Sequence, residues 1–135
     1  MDIEWVRKRC LSLPYCMETL QWEDNLVYKV GSKMFAIIAL EPGHAWLWFK
    51  CSDEDYAELI ERQGIVPAPY LARAHWAALE AEMALSPDEL SRFLTKAHDL
   101  VFAKLSHKIR NALENTGRKA VWSRRRRAQT SREPH

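Results

Sequence analysis

The sequence predicts an α+β protein in which helices pack on one face of an antiparallel sheet. Two amphipathic stretches with helical spacing lie near the two ends of residues 1–113, and runs of β-forming residues lie between them. The turns that join these runs are too short for a crossover between parallel strands, which favours an antiparallel meander. A chain of 135 residues, 47% of them hydrophobic, is enough for one domain with a substantial core.

The first predicted element is an amphipathic helix over residues 2–13. Ile3, Val6 and Cys10 recur near helical spacing, with basic residues between them. Pro14 ends this helix because proline cannot extend a helix interior.

The second predicted feature is a meander of short strands between residues 19 and 50. The strands are Thr19–Trp22, Leu26–Val30, Met34–Leu40 and Ala45–Lys50. Gly31 and Ser32 form a tight hairpin turn. The third strand is apolar throughout, as expected when both faces of a strand are buried. In the fourth strand, alternation places Trp46 and Trp48 on one face and Leu47 and Phe49 on the other.

A second helix is predicted from Ser52, whose side chain can cap the free N–H groups, to Gly64. Residues 65–70 contain two prolines and are predicted to be extended. Residues 74–80 fit a helix or an edge strand, and their position favours the strand.

The last predicted helix begins at Ser86, with proline at the next position and Glu89 in place for a capping box. Apolar residues then keep helical spacing to about Leu113. About 28 residues is long for a globular helix, which leaves open a kink or an exposed last turn.

The charge is divided unevenly along the chain. Residues 1–113, the predicted domain, carry a formal charge of −3, whereas residues 114–135 carry +5, which gives the total of +2. The C-terminal segment includes four consecutive arginines and little that can pack. It is therefore predicted to be a disordered arm that meets an anionic partner.

Several classes of protein are disfavoured. No apolar run is long enough to cross a membrane, and no secretory signal precedes the first helix, so a cytoplasmic location is expected. The three cysteines lack a C-x-x-C pair and are expected to be reduced thiols rather than disulfides or zinc ligands. The four histidines in the expected domain have no metal-binding spacing, and neither a phosphate-binding glycine loop nor a G-x-S-x-G motif is present. The sequence thus predicts no enzyme, cofactor or metal.

Four short segments, in this order and spacing, resemble the MmcQ/YjbR family. They are Leu11–Pro14, Val27–Phe35, Phe49–Ser52 and Pro67–Trp76, the last reading PAPYLARAHW. The resemblance covers residues 1–113 and implies a frataxin/CyaY-like fold. It also implies DNA binding through two projecting β-hairpins, described as a double wing. Iron binding of the frataxin kind would need an acidic first helix, and Arg7–Arg9 argue against it.

The candidate nucleic-acid contacts fall into four groups. They are Arg124, Arg125, Arg126 and Arg127 in the arm; Tyr70, Arg73 and His75; Lys29, Lys33 and Lys50 at strand ends; and Lys104 and Lys108 late in the last helix. Arginine binds phosphate in a bidentate manner, and each contact makes the salt dependence of binding steeper. Each group also has a simpler interpretation. The arm could solubilise the protein or meet an acidic protein or a membrane surface, and the segment from Tyr70 to His75 could pack against the core. The lysines at strand ends could protect a sheet edge, and those late in the last helix could complement the helix dipole.

A second hypothesis is an adaptor that binds a protein or a small ligand through exposed aromatic side chains. It is motivated by the six tryptophans and the acidic domain. It expects an aromatic surface patch around Trp46, Trp48 or Trp76.

Overall fold

The computed structural model describes residues 2–40, 45–69, 71–81 and 84–115. Within them, six strands and four α-helices confirm the predicted α+β fold. The helices are α1 (Ile3–Leu11), α2 (Asp53–Leu59), α3 (Pro87–Ala103) and α4 (residues 107–115). The strands are β1 (Met17–Gln21), β2 (Asn25–Val30), β3 (Lys33–Ala39), β4 (Leu47–Lys50), β5 (Ile65–Pro67) and β6 (Trp76–Leu79). A search of the described helices finds none with the length and apolar character of a membrane span.

All neighbouring strands of the sheet are antiparallel, in the order β1-β2-β3-β4-β6-β5. The predicted hairpin turn joins β2 to β3, where Gly31 and Ser32 have φ angles of 57° and 69°. Two consecutive positive φ angles give the turn a twist that matches the strands on either side. The meander expected from the short connections is therefore confirmed. The strand predicted within residues 74–80 is present as β6, but the prediction that it lies at the edge is wrong, because β6 pairs with β4 on one side and β5 on the other.

One face of the sheet packs against α3. Phe49 of β4 stacks on Phe93 with ring centroids 6.1 Å apart, and Phe35 of β3 meets His98 edge to face at 5.5 Å. Leu47 and Phe49 are fully buried. Helix α1 packs alongside α3, where the Arg9 guanidinium donates to the Thr95 hydroxyl at 2.7 Å. The largest part of the core lies between the sheet and these helices.

The opposite face of the sheet carries its own apolar cluster. Val27, Ile37 and Ala78 are buried there, and Trp76, which is 4% exposed, belongs to the same cluster. Trp48 packs against them and is half-buried. The prediction that Trp48 points away from Leu47 and Phe49 is confirmed, and both faces of β3 are buried as expected.

Helix α2 is shorter than predicted, because it ends at Leu59 rather than near Gly64. After Leu59 the backbone tightens, with the Arg62 N–H donating to the Leu59 carbonyl at 3.0 Å. Such i→i+3 bonds are common where a helix ends. Gly64 has a φ angle of 87°, and a Cβ there would lie 3.1 Å from that of Ala81, so glycine is needed for the turn itself.

The prediction of one long helix to about Leu113 is wrong. Helix α3 begins at Ser86 with the expected capping box but ends at Ala103, and α4 begins after Ser106. The Ser106 hydroxyl accepts a hydrogen bond from the Ile109 N–H at 3.2 Å, as an N-cap does. Apolar spacing continues across the break, which is why periodicity alone did not reveal it. The contacts divide the chain into two units after Lys104, and the boundary expected near residue 113 stays a prediction.

All three cysteines are free, and their thiols are poor nucleophiles. Burial raises the pKa of Cys16 and of Cys51 to about 12, and it raises the pKa of Cys10 further. A rise of about three pKa units lowers the thiolate fraction about 1,000-fold at neutral pH. A thiolate of higher pKa is intrinsically more nucleophilic, but this recovers only part of the loss in rate.

We therefore expect iodoacetamide to alkylate Cys16 about 30- to 100-fold more slowly in native than in denatured protein at neutral pH. The rate should keep rising with pH beyond pH 9, because the native thiol ionises only near its raised pKa. Peptide mass spectrometry against time follows each thiol separately. A native rate that levels off near pH 9 would contradict the raised pKa.

Candidate nucleic-acid interface at one end of the sheet

Most of the basic side chains predicted on the domain lie at one end of the sheet. Strand β2 ends and β3 begins at the Gly31–Ser32 turn, β4 ends at Lys50, and β6 begins at Trp76. Because all neighbours are antiparallel, these points share one end of the sheet. Lys29 is paired with Met34 and Lys50 with Trp76. The register therefore brings cations from three strand termini to this end.

Four of the predicted contact residues line a single pocket of about 520 Å³ at this end. We call it the basic pocket and define it by Lys50, Arg73, His75 and Lys104. The four residues come from the end of β4, the 3-10 turn Ala72–Ala74, the residue before β6, and the C-cap of α3. The sequence had predicted each as a contact but had not grouped the four together.

Lys50 is held in place by the chain that precedes β6. Its Nζ donates a hydrogen bond to the carbonyl of Ala74. Burial, and then the positive charge of Lys104, lower the pKa of Lys50. Two like charges that face the same pocket repel each other, and an anion between them would relieve this repulsion.

The position of His75 differs from the prediction. It was expected inside a strand but follows the 3-10 turn in the left-handed region, with φ 59° and ψ 52°. Its side chain is fixed by Asp53, whose Oδ1 lies 2.5 Å from Nδ1, and by Tyr56, whose ring centroid lies 4.9 Å away. Because a carboxylate only accepts, Nδ1 carries the proton, and Nε2 is left for other contacts. The predicted strand started too early, because the residues before Trp76 form a 3-10 turn and are not extended.

Arg73 and Lys104 are the exposed cations of the basic pocket. Neither makes an ion pair within the described part of the chain. Two carboxylates also line the pocket, and one of them, Asp53, is engaged by His75. Glu54 is the other. The pocket thus offers three permanent cations, which suits a phosphate or another anion.

Five of the remaining predicted residues lie outside the described residues, and the others do not line the basic pocket. Lys33 is exposed at the start of β3, beside the hairpin turn. Lys108 is exposed on α4, in the second unit of the chain. Tyr70 and Arg124–Arg127 lie outside the described residues.

One surface was predicted only in part, through Trp48. A groove of about 510 Å³ lies on the sheet face that does not contact α3, and we call it the aromatic groove. Its lining residues are Trp22, Asn25, Met34, Ile37, Trp48, Pro69 and Leu71. Trp22 was assigned to the end of a strand, whereas it is in the β1–β2 turn and 63% exposed. The surplus of tryptophans was the available signal. Of the three residues around which an aromatic patch was predicted, Trp48 lines the groove and Trp76 is buried, whereas Trp22 was not among them.

The fold and its basic end define a small α+β protein built on a six-stranded antiparallel sheet. A family model described as YjbR matches residues 11–100, and the chain belongs to the YjbR family. The chain is also similar to a solved structure, the crystal structure of Deinococcus radiodurans protein DR2400, which has a DUF419 domain. Sequence identity is 27%, the TM-score is 0.72, and the match covers 81% of this chain and 85% of the other. No curated protein matches the chain.

Proposed function

We propose that this protein binds nucleic acid, DNA in the first instance, through phosphate contacts at the basic end of the sheet and through Arg124–Arg127. The observation that supports this most is the basic pocket, where residues far apart in sequence place three permanent cations together. The surrounding domain has a formal charge of −3, so a local concentration of cations contrasts with the rest of it.

The chemistry of the pocket fits a phosphate. The guanidinium of Arg73 can bind two phosphate oxygens at once, and the ammonium groups of Lys50 and Lys104 act as point charges. Lys29 and Lys33 at the same end can extend these contacts along a backbone. Phosphate contacts position a protein on nucleic acid and carry no base specificity by themselves.

The test compares two double variants of the full chain. In the first, Arg73→Ala and Lys104→Ala remove the exposed cations of the pocket. In the second, Lys8→Ala and Arg92→Ala remove the same charge from exposed positions on α1 and α3. DNA affinity is measured by fluorescence anisotropy between about 50 and 200 mM salt.

The pocket variant is expected to lower the affinity and to reduce the slope of log K against log salt by about 2, since each lost phosphate contact contributes about 0.9. The control variant should keep the wild-type slope to within experimental error. Equal slopes for both variants and the wild type would place the contacts elsewhere. Absence of DNA binding by the wild type at about 50 mM salt would refute the proposal.

The alternative is a non-enzymatic adaptor, and the aromatic groove is the observation that favours it. Exposed aromatic surface is typical of places where proteins or small ligands dock. The adaptor would be supported if the protein has no affinity for nucleic acid but binds a partner at high salt. Substitutions in the aromatic groove should then abolish this binding.

A further inference from the structure

The aromatic groove combines an accessible ring with a rigid apolar floor. Trp22 is the most exposed large apolar side chain of the described residues, at 63%. Trp48, Met34 and Ile37 complete the groove from the neighbouring strands β3 and β4, and Ile37 is buried. A groove of about 510 Å³ with this lining is large enough to hold a flat ring of the size of an indole.

The backbone holds Trp22 in an unusual position. Trp22 and Glu23 have φ angles of 49° and 67°, a region that L-residues other than glycine and asparagine seldom adopt. Within the turn the Asp24 N–H donates to the Trp22 carbonyl at 2.8 Å, and the Leu40 N–H after β3 donates to the Asp24 carbonyl at 2.8 Å. An asparagine at position 22 would suit this backbone better than tryptophan does, so backbone preference does not explain the indole.

Two lysines lie on the same sheet face as the groove. Lys29 is the cross-strand partner of Met34, which lines the groove, and paired residues point to the same face. Lys50 lies two residues after Trp48 on β4, so its position in the strand is on that face, about 7 Å further along, and its ammonium reaches the basic pocket at the end of the sheet. The groove thus has apolar walls and, toward the basic end of the sheet, positive charge.

We propose that the aromatic groove binds an unpaired base of single-stranded nucleic acid, with Trp22 stacking on the base and with Lys29 and Lys50 contacting the adjoining phosphates. This inference rests on the proposed function and specifies its substrate. An apolar peptide would also fill the groove, but it would leave the two lysines unmatched. Stacking on aromatic side chains beside a basic track is the general way in which proteins hold single strands.

The test uses the full chain with three probes: a short poly(dA) strand, an abasic strand of the same length, and a duplex of the same length. The main variant is Trp22→Asn, because asparagine tolerates a positive φ and keeps the turn. Trp22→Tyr retains an aromatic ring. The matched control is Leu20→Thr, which removes an apolar side chain of 62% exposure from the adjoining strand β1, on the sheet face opposite the groove.

Trp22→Asn is expected to weaken poly(dA) binding about tenfold and to leave abasic and duplex binding unchanged. Trp22→Tyr should retain most of the affinity, and Leu20→Thr should match the wild type. Poly(dA) should also quench the tryptophan fluorescence of the wild type more than the abasic strand does, a readout that needs no variant.

The contrary outcomes separate this inference from the proposed function. Wild-type binding to duplex with no preference for poly(dA) over the abasic strand overturns the inference and leaves the proposed function standing. If Trp22→Asn lowers the affinity for all three probes equally, the inference is also overturned, because the indole would then stabilise the fold rather than contact a base. Failure of the wild type to bind any probe overturns both.

Discussion

Replacing Arg124–Arg127 with alanine is expected to flatten the salt dependence of DNA binding by 3–4 units in the slope of log K against log salt. Four arginines can neutralise about four phosphates, and each contributes about 0.9 to the slope on duplex DNA. Between about 50 and 200 mM salt, the wild type should therefore lose about 150-fold more affinity than the variant. Anisotropy titrations with one duplex at several salt concentrations give both slopes.

The control for this prediction replaces the same four arginines with lysine. Lysine keeps the charge but loses the bidentate geometry, so the slope should hold while the affinity drops modestly. A wild-type slope in the alanine variant would mean that Arg124–Arg127 contact no phosphate. The basic pocket would then be the principal contact, and the Arg73→Ala/Lys104→Ala variant would account for most of the slope.

Features set by neighbouring residues could be predicted from the sequence. The Gly31–Ser32 turn, the Ser86 capping box and the alternation along β4 each depend on a few adjacent side chains and on backbone preferences. The order of β1 to β4 followed from the short connections between them, whereas the position of β6 between β4 and β5 did not. These local signals agree with one another, and together they were enough for the α+β fold.

The basic pocket could not be derived in the same way. Lys50, Arg73 and Lys104 meet because β6 pairs with β4 and because α3 ends beside them, and no local pattern specifies either contact. Each residue had a simpler interpretation on its own. The place of His75 likewise depends on the 3-10 turn before it, and its side chain meets Asp53, which is 22 residues earlier in the chain.

The error in the length of the last helix has an identifiable cause. Apolar periodicity reports which residues face a core, and it continues wherever the chain turns yet keeps an apolar side inward. Ser106 interrupts the last helix through its hydroxyl, a cue that was present in the sequence but was outweighed by the spacing of the apolar residues around it. Caps inside a periodic stretch therefore merit the same weight as caps at its start.

The packing between α3 and the sheet leads to the second large prediction, that His98→Ala lowers the free energy of unfolding by about 3 kcal/mol. His98 is 3% exposed, and its Nε2 donates to the Pro14 carbonyl at 2.7 Å. Its ring also stacks on Phe102 at 6.0 Å and meets Phe35 edge to face. Alanine would leave a cavity in place of the buried ring and the Pro14 carbonyl without this donor, and both effects destabilise the fold.

Two variants separate these effects in urea unfolding followed by circular dichroism. His98→Gln places an amide donor near the position of Nε2 and should cost less than alanine. Asp99→Asn changes the other partner of the ring, whose carboxylate is 3.0 Å from Nδ1 and largely exposed, and should cost under about 1 kcal/mol. A loss under about 1 kcal/mol in His98→Ala, with an unchanged denaturant slope, would show that the bond to Pro14 does not anchor the end of α1 to α3. A loss of about 3 kcal/mol in His98→Ala, with a smaller loss in His98→Gln, would show that His98 joins the end of the first helix to the core between α3 and the sheet.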